Sequence, residues 1–221
     1  MTNTRLPVIT LDGPAASGKG TIAERVAEAL GFAYLDSGAL YRIATLEALR
    51  TGVALTDEAG LARVAAAIRP VFKEGRVWLN GEDISEAIRA DEVSASTSKV
   101  AAVPAVRQAL FECQRAFAVE PGLVADGRDM GTVVFPEAKL KIFMTADVHV
   151  RAQRRYAQQK ARGLEVTLDA IEKDLQERDW RDQTRATAPL KPHPEAKILD
   201  TTSMSIEEVV KKVLAFWDDA R

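Results

Sequence analysis

The chain has little of the side-chain chemistry on which many enzyme classes depend. Its 221 residues include one cysteine, Cys113, and two histidines, His149 and His193. A single cysteine excludes an intrachain disulfide and is typical of a reducing compartment, so we expect a cytoplasmic protein. We expect both histidines to lie at the surface and to take no part in catalysis.

Long apolar runs and a strong charge imbalance are also missing. No apolar run is long enough to cross a membrane. A formal net charge of -2 argues against a non-specific nucleic-acid binder, which needs a broad basic surface. With 47% hydrophobic and 28% charged residues, the composition is that of an ordinary folded protein. We expect a monomer that binds neither membrane nor nucleic acid.

Small residues are concentrated in one segment, residues 8–21, which reads VITLDGPAASGKGT. It opens with an apolar, β-branched strand pattern, and after it apolar residues repeat at helical spacing until Gly31, a plausible helix end. A turn of small residues between a strand and a helix directs backbone N–H groups and the positive end of the helix dipole at an anion. The sequence therefore predicts a phosphate-binding loop.

The loop matches the general phosphate-binding pattern G-x-x-x-x-G-K from Gly13 to Lys19. Lys19 adds a mobile positive charge to the backbone N–H groups. The next position, which is usually serine or threonine, is Gly20. Thr21 is therefore the nearest hydroxyl for Mg²⁺, in direct contact or through water.

Short strand patterns alternate with helical patterns along most of the chain. This alternation predicts an α/β fold, a parallel sheet with helices on both faces. Polar residues follow the strands, and in such sheets ligands bind at the carboxyl ends of the strands. The predicted strands are Val8–Leu11, Phe32–Leu35, residues 123–125, Leu140–Met144 and Lys197–Leu199.

One stretch differs in character, and we expect residues 61–97 to form a small insertion in a single domain. An extended run, Arg76–Leu79, lies between turn signals at Glu74-Gly75 and Asn80-Gly81, which predicts a hairpin. Residues 90–117 favour helices with a break at Pro104.

A predicted helix towards the C-terminus changes from apolar to ionic along one face. Ile171 and Leu175 share that face with Arg178, Asp182 and Arg185. Because an unpaired buried charge is costly, the ionic half either borders a cleft or forms a salt-bridged surface. The sequence does not distinguish between these two alternatives.

The segment before that helix, residues 152–166, is basic and interrupted by Gly163. It contains Arg154 and Arg155, and we expect it to act as a mobile lid. The final helix has a capping box at Ser205 and Glu208, and its apolar stripe is expected to cover the sheet.

Several segments together resemble the bacterial cytidylate kinase family. The ending Gly-Lys-Gly-Thr of the phosphate loop has the form found in nucleoside monophosphate kinases. The more specific segments are LDSGALYR (35–42), SKVA (98–101), PAVR (104–107), ADGRDMGTVVFP (125–136) and ERDWRDQTR (177–185).

The resemblance implies a P-loop kinase fold with a five-stranded parallel sheet, a small NMP-binding insertion at 61–97 and a short lid at 152–166. It also implies that the γ-phosphoryl group of Mg²⁺-ATP is transferred to CMP or dCMP. The residues implied for ATP are Gly13, Pro14, Ala15, Ala16, Ser17, Gly18, Lys19, Gly20 and Thr21 in the loop, with Arg154 and Arg155 in the lid.

The same resemblance implies roles on the acceptor side. Arg42 and Arg128 hold the CMP phosphate, and Arg178 and Arg185 reach the place where the two nucleotides meet. Asp182 lies near the ribose and phosphates. The other residues implied for CMP are Ser37, Tyr41, Ser98, Arg107 and Asp129, of which the last three belong to the cytosine pocket.

These roles suit the reaction. The acceptor phosphate has a second pKa of about 6, so it is mostly ionised at neutral pH and needs no general base. The reaction needs neutralisation of charge, which Mg²⁺, Lys19 and arginines supply. Asp126 joins the catalytic set, either by binding Mg²⁺ through water or by orienting Arg128. Asp129 is our candidate for choosing cytosine, because a carboxylate accepts from its amino group and opposes the carbonyl of uracil.

Two alternatives stay open at this stage. The chain is either a kinase for another small acceptor, such as UMP, or a module that binds ATP without turnover. No guanine-reading N-K-x-D motif occurs, which argues against a GTP switch, and a dead kinase is expected to have lost Lys19 or the arginines.

Overall fold

The computed structural model describes residues 6–73 and 75–221. The chain forms two compact units. The first comprises the chain up to Leu35 together with Phe117–Arg221, and the second is Asp36–Ala116. The predicted insertion at 61–97 falls inside the second unit, and Glu74 of its predicted turn lies outside the described residues.

A five-stranded parallel sheet organises the first unit, as the sequence predicted. Its strands lie in the order β2-β6-β1-β7-β8, with β1 at the centre. Ile9 of β1 is opposite Val124 of β6 and Leu140 of β7, so the carboxyl ends of these strands meet at one edge. The strands are β1 (Val8–Asp12), β2 (Ala33–Asp36), β6 (Leu123–Gly127), β7 (Leu140–Thr145) and β8 (Lys197–Asp200).

In the part of this unit that the structure describes, the α-helices are α1 (Lys19–Leu30), α6 (Val148–Ala161), α7 (Leu168–Thr184) and α8 (Ile206–Ala220), with one π-helical turn at Met130–Val134. Ile9 and Leu11 of β1 belong to the same buried cluster as Val26 of α1 and Trp217 of α8, so these two helices cover one face of the sheet. A smaller cluster joins Ile171 and Leu175 of α7 to Ala152 of α6 and Ala15 of the phosphate loop.

The helix ends confirm the local signals in the sequence. α1 ends at Gly31, whose backbone is left-handed with φ 66°. α8 begins at Ser205 with the predicted capping box, in which the Ser205 hydroxyl accepts from the Glu208 N–H and the Glu208 carboxylate accepts from the Ser205 N–H.

The second unit is a set of helices with a small sheet. Its helices are α2 (Ser37–Arg50), α3 (Glu58–Ala67), α4 (Asp91–Val100) and α5 (Pro104–Arg115), with one 3₁₀ turn at Ala87–Arg89. The predicted hairpin is present, and a short third strand extends it. The three antiparallel strands are β3 (Val71–Lys73), β4 (Arg76–Leu79) and β5 (Glu82–Asp83).

The predicted lid, residues 152–166, comprises most of α6 and its connection to α7. Its motion stays a prediction. Among the described residues, no helix is both long and apolar enough to span a membrane.

Candidate functional site

The phosphate loop runs from the end of β1 to the first turn of α1. Gly13 is required because a Cβ atom there would lie 2.2 Å from the backbone oxygen of Met144 on β7. Gly18, which precedes α1, has a left-handed backbone with φ 87°. The loop therefore lies close against the sheet and curls into the helix with its N–H groups at the strand ends.

Lys19 opens α1 and is 7% exposed. Its Nζ donates to the backbone oxygen of Pro14 at 3.0 Å, so the side chain folds back over the loop that it follows in sequence. An ammonium group held at the positive end of a helix attracts an anion strongly. The predicted loop lysine is therefore placed at the phosphate-binding turn.

A cavity of about 520 Å³ lies beside this loop. It has the volume of a small-molecule site. The Ser17 hydroxyl is buried at its wall and has no hydrogen-bond partner among the described residues, so it is available to a ligand. The lining residues are Ala16, Ser17, Gly18, Lys19, Gly20, Thr21, Ile22, Met144, Arg154, Gln158, Thr201, Met204, Ser205, Ile206 and Val209.

The arginines of α6 differ in what they contact. Arg154 lines the cavity and donates to the backbone oxygen of Thr201 at 2.7 Å. Arg151 is buried, and its three nitrogens bond to the backbone oxygens of Ala15 and Ala146 and to the Asp179 carboxylate. Arg155 is half-buried on α6 and is not among the residues lining the cavity, so its role in ATP binding stays a prediction.

Asp126 lies near the end of β6, close to the start of α1. Its Oδ1 accepts from the hydroxyl of Tyr34 at 2.9 Å. Its Oδ2 is 3.9 Å from the point that a Cβ atom of Gly20 would occupy. The bond to Tyr34 holds the carboxylate in place beside the phosphate loop.

These residues fit Mg²⁺ bound to a nucleotide. No group of three or more His, Cys, Asp or Glu side chains is placed to hold a metal in the described part of the chain. Mg²⁺ does not require one, because it usually keeps several waters and takes one or two carboxylates together with substrate phosphates. Thr21, exposed in the first turn of α1, and Asp126 supply a hydroxyl and a carboxylate at this place.

A cluster of arginines and aspartates forms a second charged region of the first unit. Arg128 donates from Nε to the Asp182 carboxylate at 2.8 Å, and Arg185 Nη2 lies 3.9 Å from Asp129 Oδ1. Arg185 also donates from Nε to the backbone oxygen of Ala188. The side chains of Asp182 and Arg185 are each 6% exposed. The ionic half of α7 is therefore not a solvated surface.

The electrostatics of Asp182 show how the cluster is balanced. Burial alone would raise the pKa of this carboxyl, but the attraction of Arg128, Arg178 and Arg185 lowers the pKa below its ordinary value. Asp182 therefore stays ionised. Its negative charge offsets the repulsion among the three arginines that surround it.

Asp12, which sequence reasoning passed over, lies at the end of β1. Its two carboxylate oxygens accept from the N–H groups of Met130 and Gly131, each at 2.8 Å. Burial raises the pKa of Asp12 to about 7, although both hydrogen bonds and the nearby Lys19 act in the opposite direction.

In the second unit, α2 carries three of the predicted acceptor residues, Ser37, Tyr41 and Arg42. Asp36 precedes the helix, accepts from the Ala39 N–H at 2.9 Å and receives a hydrogen bond from Arg42 at 2.6 Å. Ser37 is buried beside them. Arg42 is thus paired with the residue that caps its own helix.

The other acceptor residues of this unit lie on α4 and α5. Arg107 of α5 is 8% exposed, and its guanidinium carbon is 5.5 Å from the centre of the Tyr41 ring. The Ser98 hydroxyl of α4 is buried and has no hydrogen-bond partner among the described residues. A buried hydroxyl without a partner is costly unless a ligand completes it.

Both histidines lie next to glutamates. His149 is exposed, and its Nδ1 lies 2.8 Å from a carboxylate oxygen of Glu172. His193 is half-buried, and its Nδ1 accepts from the N–H of Glu195.

Sequence reasoning also missed the cavity wall after β8. Thr201 is buried, and its hydroxyl lies within hydrogen-bond distance of the backbone oxygens of Ser17 and Thr145. Met204 and Gln158 complete this wall. The available signal was the position of Thr201 directly after a strand that ends at the edge where the ligands of such sheets bind.

Comparison with known proteins shows which family the chain is similar to. Residues 9–218 match the family model described as "Cytidylate kinase". A cytidylate kinase of Bordetella bronchiseptica is 56% identical over 96% of this chain and 95% of its own. One of Chromobacterium violaceum is 53% identical over 97% of this chain and 96% of its own.

Some solved structures align with nearly the whole chain at low sequence identity. A gluconokinase from Sinorhizobium meliloti aligns with a TM-score of 0.49 at 15% identity, over 97% of this chain and 94% of its own.

Proposed function

The chain belongs to the cytidylate kinase family, and on that premise we propose that it transfers the γ-phosphoryl group of ATP to CMP and dCMP. An oxygen of the acceptor phosphate attacks the γ-phosphorus. The bond from that phosphorus to the β–γ bridging oxygen breaks, and ADP and CDP (or dCDP) are formed.

One observation carries the proposal. The first unit holds a phosphate loop with its lysine beside a cavity of about 520 Å³, together with a cluster in which Arg128, Arg178 and Arg185 surround the buried Asp182. Two polyanions and a transition state with spread negative charge require such an excess of fixed positive groups. Arginine suits the task because its planar fork binds phosphate oxygens in pairs and stays charged.

On the donor side, we assign the phosphates of ATP to the loop from Gly13 to Thr21 and to Arg154. The N–H groups of the loop and the ammonium of Lys19 neutralise the phosphates and hold them in place for transfer. Thr21 and Asp126 would hold Mg²⁺, which supplies Lewis-acid neutralisation of the phosphate oxygens. Asp126 in this role accepts from the Tyr34 hydroxyl, and Arg128 donates to the Asp182 carboxylate.

On the acceptor side, we assign the CMP phosphate to Arg42 and Arg128, and the cytosine ring to Ser98, Arg107 and Asp129. The buried Ser98 hydroxyl, which has no hydrogen-bond partner in the described part of the chain, and the buried guanidinium of Arg107 support this assignment, because both would gain hydrogen bonds from a polar base. The remaining assigned residues are Ser37, Tyr41, Arg178, Asp182 and Arg185.

The test is a coupled assay for ADP formation with Mg²⁺-ATP and CMP, dCMP, UMP, AMP or shikimate at equal concentrations. We expect turnover with CMP and dCMP that exceeds turnover with every other acceptor. A higher rate with UMP, AMP or shikimate would move the proposal to another kinase. ATP binding without acceptor-dependent ADP would show a non-catalytic module.

A further inference from the structure

Asp12 is a buried residue at the end of β1, directly before the phosphate loop, and none of the assignments above uses it. It is 5% exposed. Its two oxygens accept from consecutive N–H groups, those of Met130 and Gly131, at 2.8 Å each. These residues begin the π-helical turn Met130–Val134, which directly follows Arg128 and Asp129.

The alternation of β1 explains why Asp12 meets this turn. Ile9 and Leu11 pack into the cluster that joins the sheet to α1 and α8. Thr10 and Asp12 therefore face the opposite side of the sheet, where the turn lies. A Cβ atom at Gly131 would be 2.7 Å from the Thr10 hydroxyl and 3.4 Å from Asp12 Oδ2, so the turn sits directly on the strand.

The hydrogen bonds of Asp12 hold the turn in this position. The two N–H groups are buried with Met130 and Gly131, and removal of their acceptor would leave both without a partner. A buried N–H without an acceptor is costly, so the turn is expected to shift to find new partners. Arg128 and Asp129 would move with it because they precede it in the chain.

We propose that Asp12 is a positioning residue for the acceptor, which fixes the turn after Arg128 and Asp129 and thereby sets the affinity for CMP without contacting it. The proposal rests on the function assigned above. Lys19 lies near Asp12, but the phosphate loop also has contacts that do not involve Asp12, since Gly13 lies against the Met144 backbone and Lys19 donates to Pro14. We therefore expect loss of Asp12 to change ATP binding less than CMP binding.

The experiment compares Asp12→Ala and Asp12→Asn with the wild type in KM for CMP, KM for ATP, kcat and thermal unfolding. Thr10→Val is the matched control, since it alters a buried hydroxyl against the same turn but removes no acceptor from Met130 or Gly131. ATP dissociation constants from calorimetry give a readout that does not depend on turnover.

We expect Asp12→Ala to raise KM for CMP about ten- to a hundredfold and to leave the dissociation constant of ATP within about twofold of the wild type. Asp12→Asn keeps one acceptor oxygen, so its KM for CMP is expected to lie between that of the wild type and that of Asp12→Ala. Thr10→Val is expected to have a wild-type KM for CMP.

Equal increases in KM for CMP and in the ATP dissociation constant would overturn the proposal, because they would indicate general damage to the fold. An unchanged KM for CMP in Asp12→Asn would also overturn the proposal. If Asp12→Ala does not fold, the KM for CMP of Asp12→Asn alone tests the proposal. A wild-type enzyme without CMP-dependent turnover would overturn the proposed function itself.

Discussion

Two regions of the first unit hold positive charge in different ways. In the phosphate loop, Lys19 donates to a backbone oxygen, that of Pro14 at 3.0 Å. In the arginine cluster, Arg128 donates to the Asp182 carboxylate at 2.8 Å, and Arg185 lies 3.9 Å from Asp129. Lys19 donates to a neutral backbone oxygen and lies near the Asp12 carboxyl, whereas Arg128 donates directly to a buried carboxylate.

This difference in surroundings predicts that the two regions contribute differently to catalysis and to the stability of the fold. Loss of the Lys19 charge leaves the nearby Asp12 carboxyl with its two N–H donors, those of Met130 and Gly131. Asp182 is surrounded by Arg128, Arg178 and Arg185, so its loss leaves three positive groups without their common partner. We expect the loop lysine to matter mainly for catalysis and the cluster carboxylate to matter for both folding and acceptor binding.

The largest effect is expected from Lys19→Met. Loss of this charge should lower kcat about 10²- to 10³-fold, the range found when one donor to a transition-state anion is removed. The free energy of unfolding should change by less than about 1 kcal/mol, as measured in urea. Lys139→Met, at an exposed lysine that bonds to the Arg221 backbone oxygen, is the control and should match the wild type. A decrease in the free energy of unfolding as large as the increase in the activation free energy would contradict the separation of catalysis from stability.

Asp182→Asn is expected to affect stability more than Lys19→Met. It should lower the free energy of unfolding by about 3 kcal/mol, because the arginines lose their shared counter-charge in a buried place. It should also raise KM for CMP. Asp174→Asn, at an exposed position of α7, serves as the control. Wild-type urea unfolding of Asp182→Asn would show that the cluster does not need its carboxylate.

Asp129→Asn extends the comparison to the choice of base. An amide can present a donor to the uracil carbonyl, so the ratio of kcat/KM for CMP to that for UMP should fall by about ten- to a hundredfold. Steady-state kinetics with both acceptors measure the ratio. An unchanged ratio would remove Asp129 from base selection and leave Ser98 and Arg107.

The smallest effect is expected in the pH dependence of stability. The attraction of the arginines holds the pKa of Asp182 below its ordinary value of 3.8, so its stabilising effect is complete above that value and is lost as the pH falls through the lower pKa of the folded state. The difference in unfolding free energy between the wild type and Asp182→Asn should therefore stay constant from pH 8 to about 4 and shrink below. A difference that already shrinks between pH 7 and 5 would contradict the lowered pKa.

The phosphate loop and the sheet were readable in the sequence because their signals are local. The loop from Gly13 to Thr21 is one contiguous segment, and each strand of the five-stranded sheet is a short apolar run. The Ser205 capping box depends on residues three positions apart. Signals of this kind need no knowledge of how distant segments meet.

The arginine cluster was readable only in part. Helical spacing placed Arg178, Asp182 and Arg185 on one face, but it left open whether that face is solvated. The bond between Arg128 and Asp182 joins residues that are 54 positions apart, and only the folded chain brings them together. The role of Asp12 was hidden for the same reason, because an aspartate at the end of a strand has no local sign of the N–H groups that it will meet.

The boundaries of the two units were also beyond local signals. The amphipathic patterns of α2, α4 and α5 predict helices but do not say which core each helix joins. The structure groups them with the hairpin in Asp36–Ala116, a wider segment than the expected insertion at 61–97.

The most direct test of the account is phosphorus NMR of the wild-type protein and of Lys19→Met with Mg²⁺-ATP and CMP. The account predicts that the wild type converts the γ-phosphoryl resonance of ATP into the β-phosphoryl resonance of CDP with an equal amount of ADP, and that Lys19→Met does so far more slowly. Release of inorganic phosphate without CDP, or equal rates in the two proteins, would contradict it.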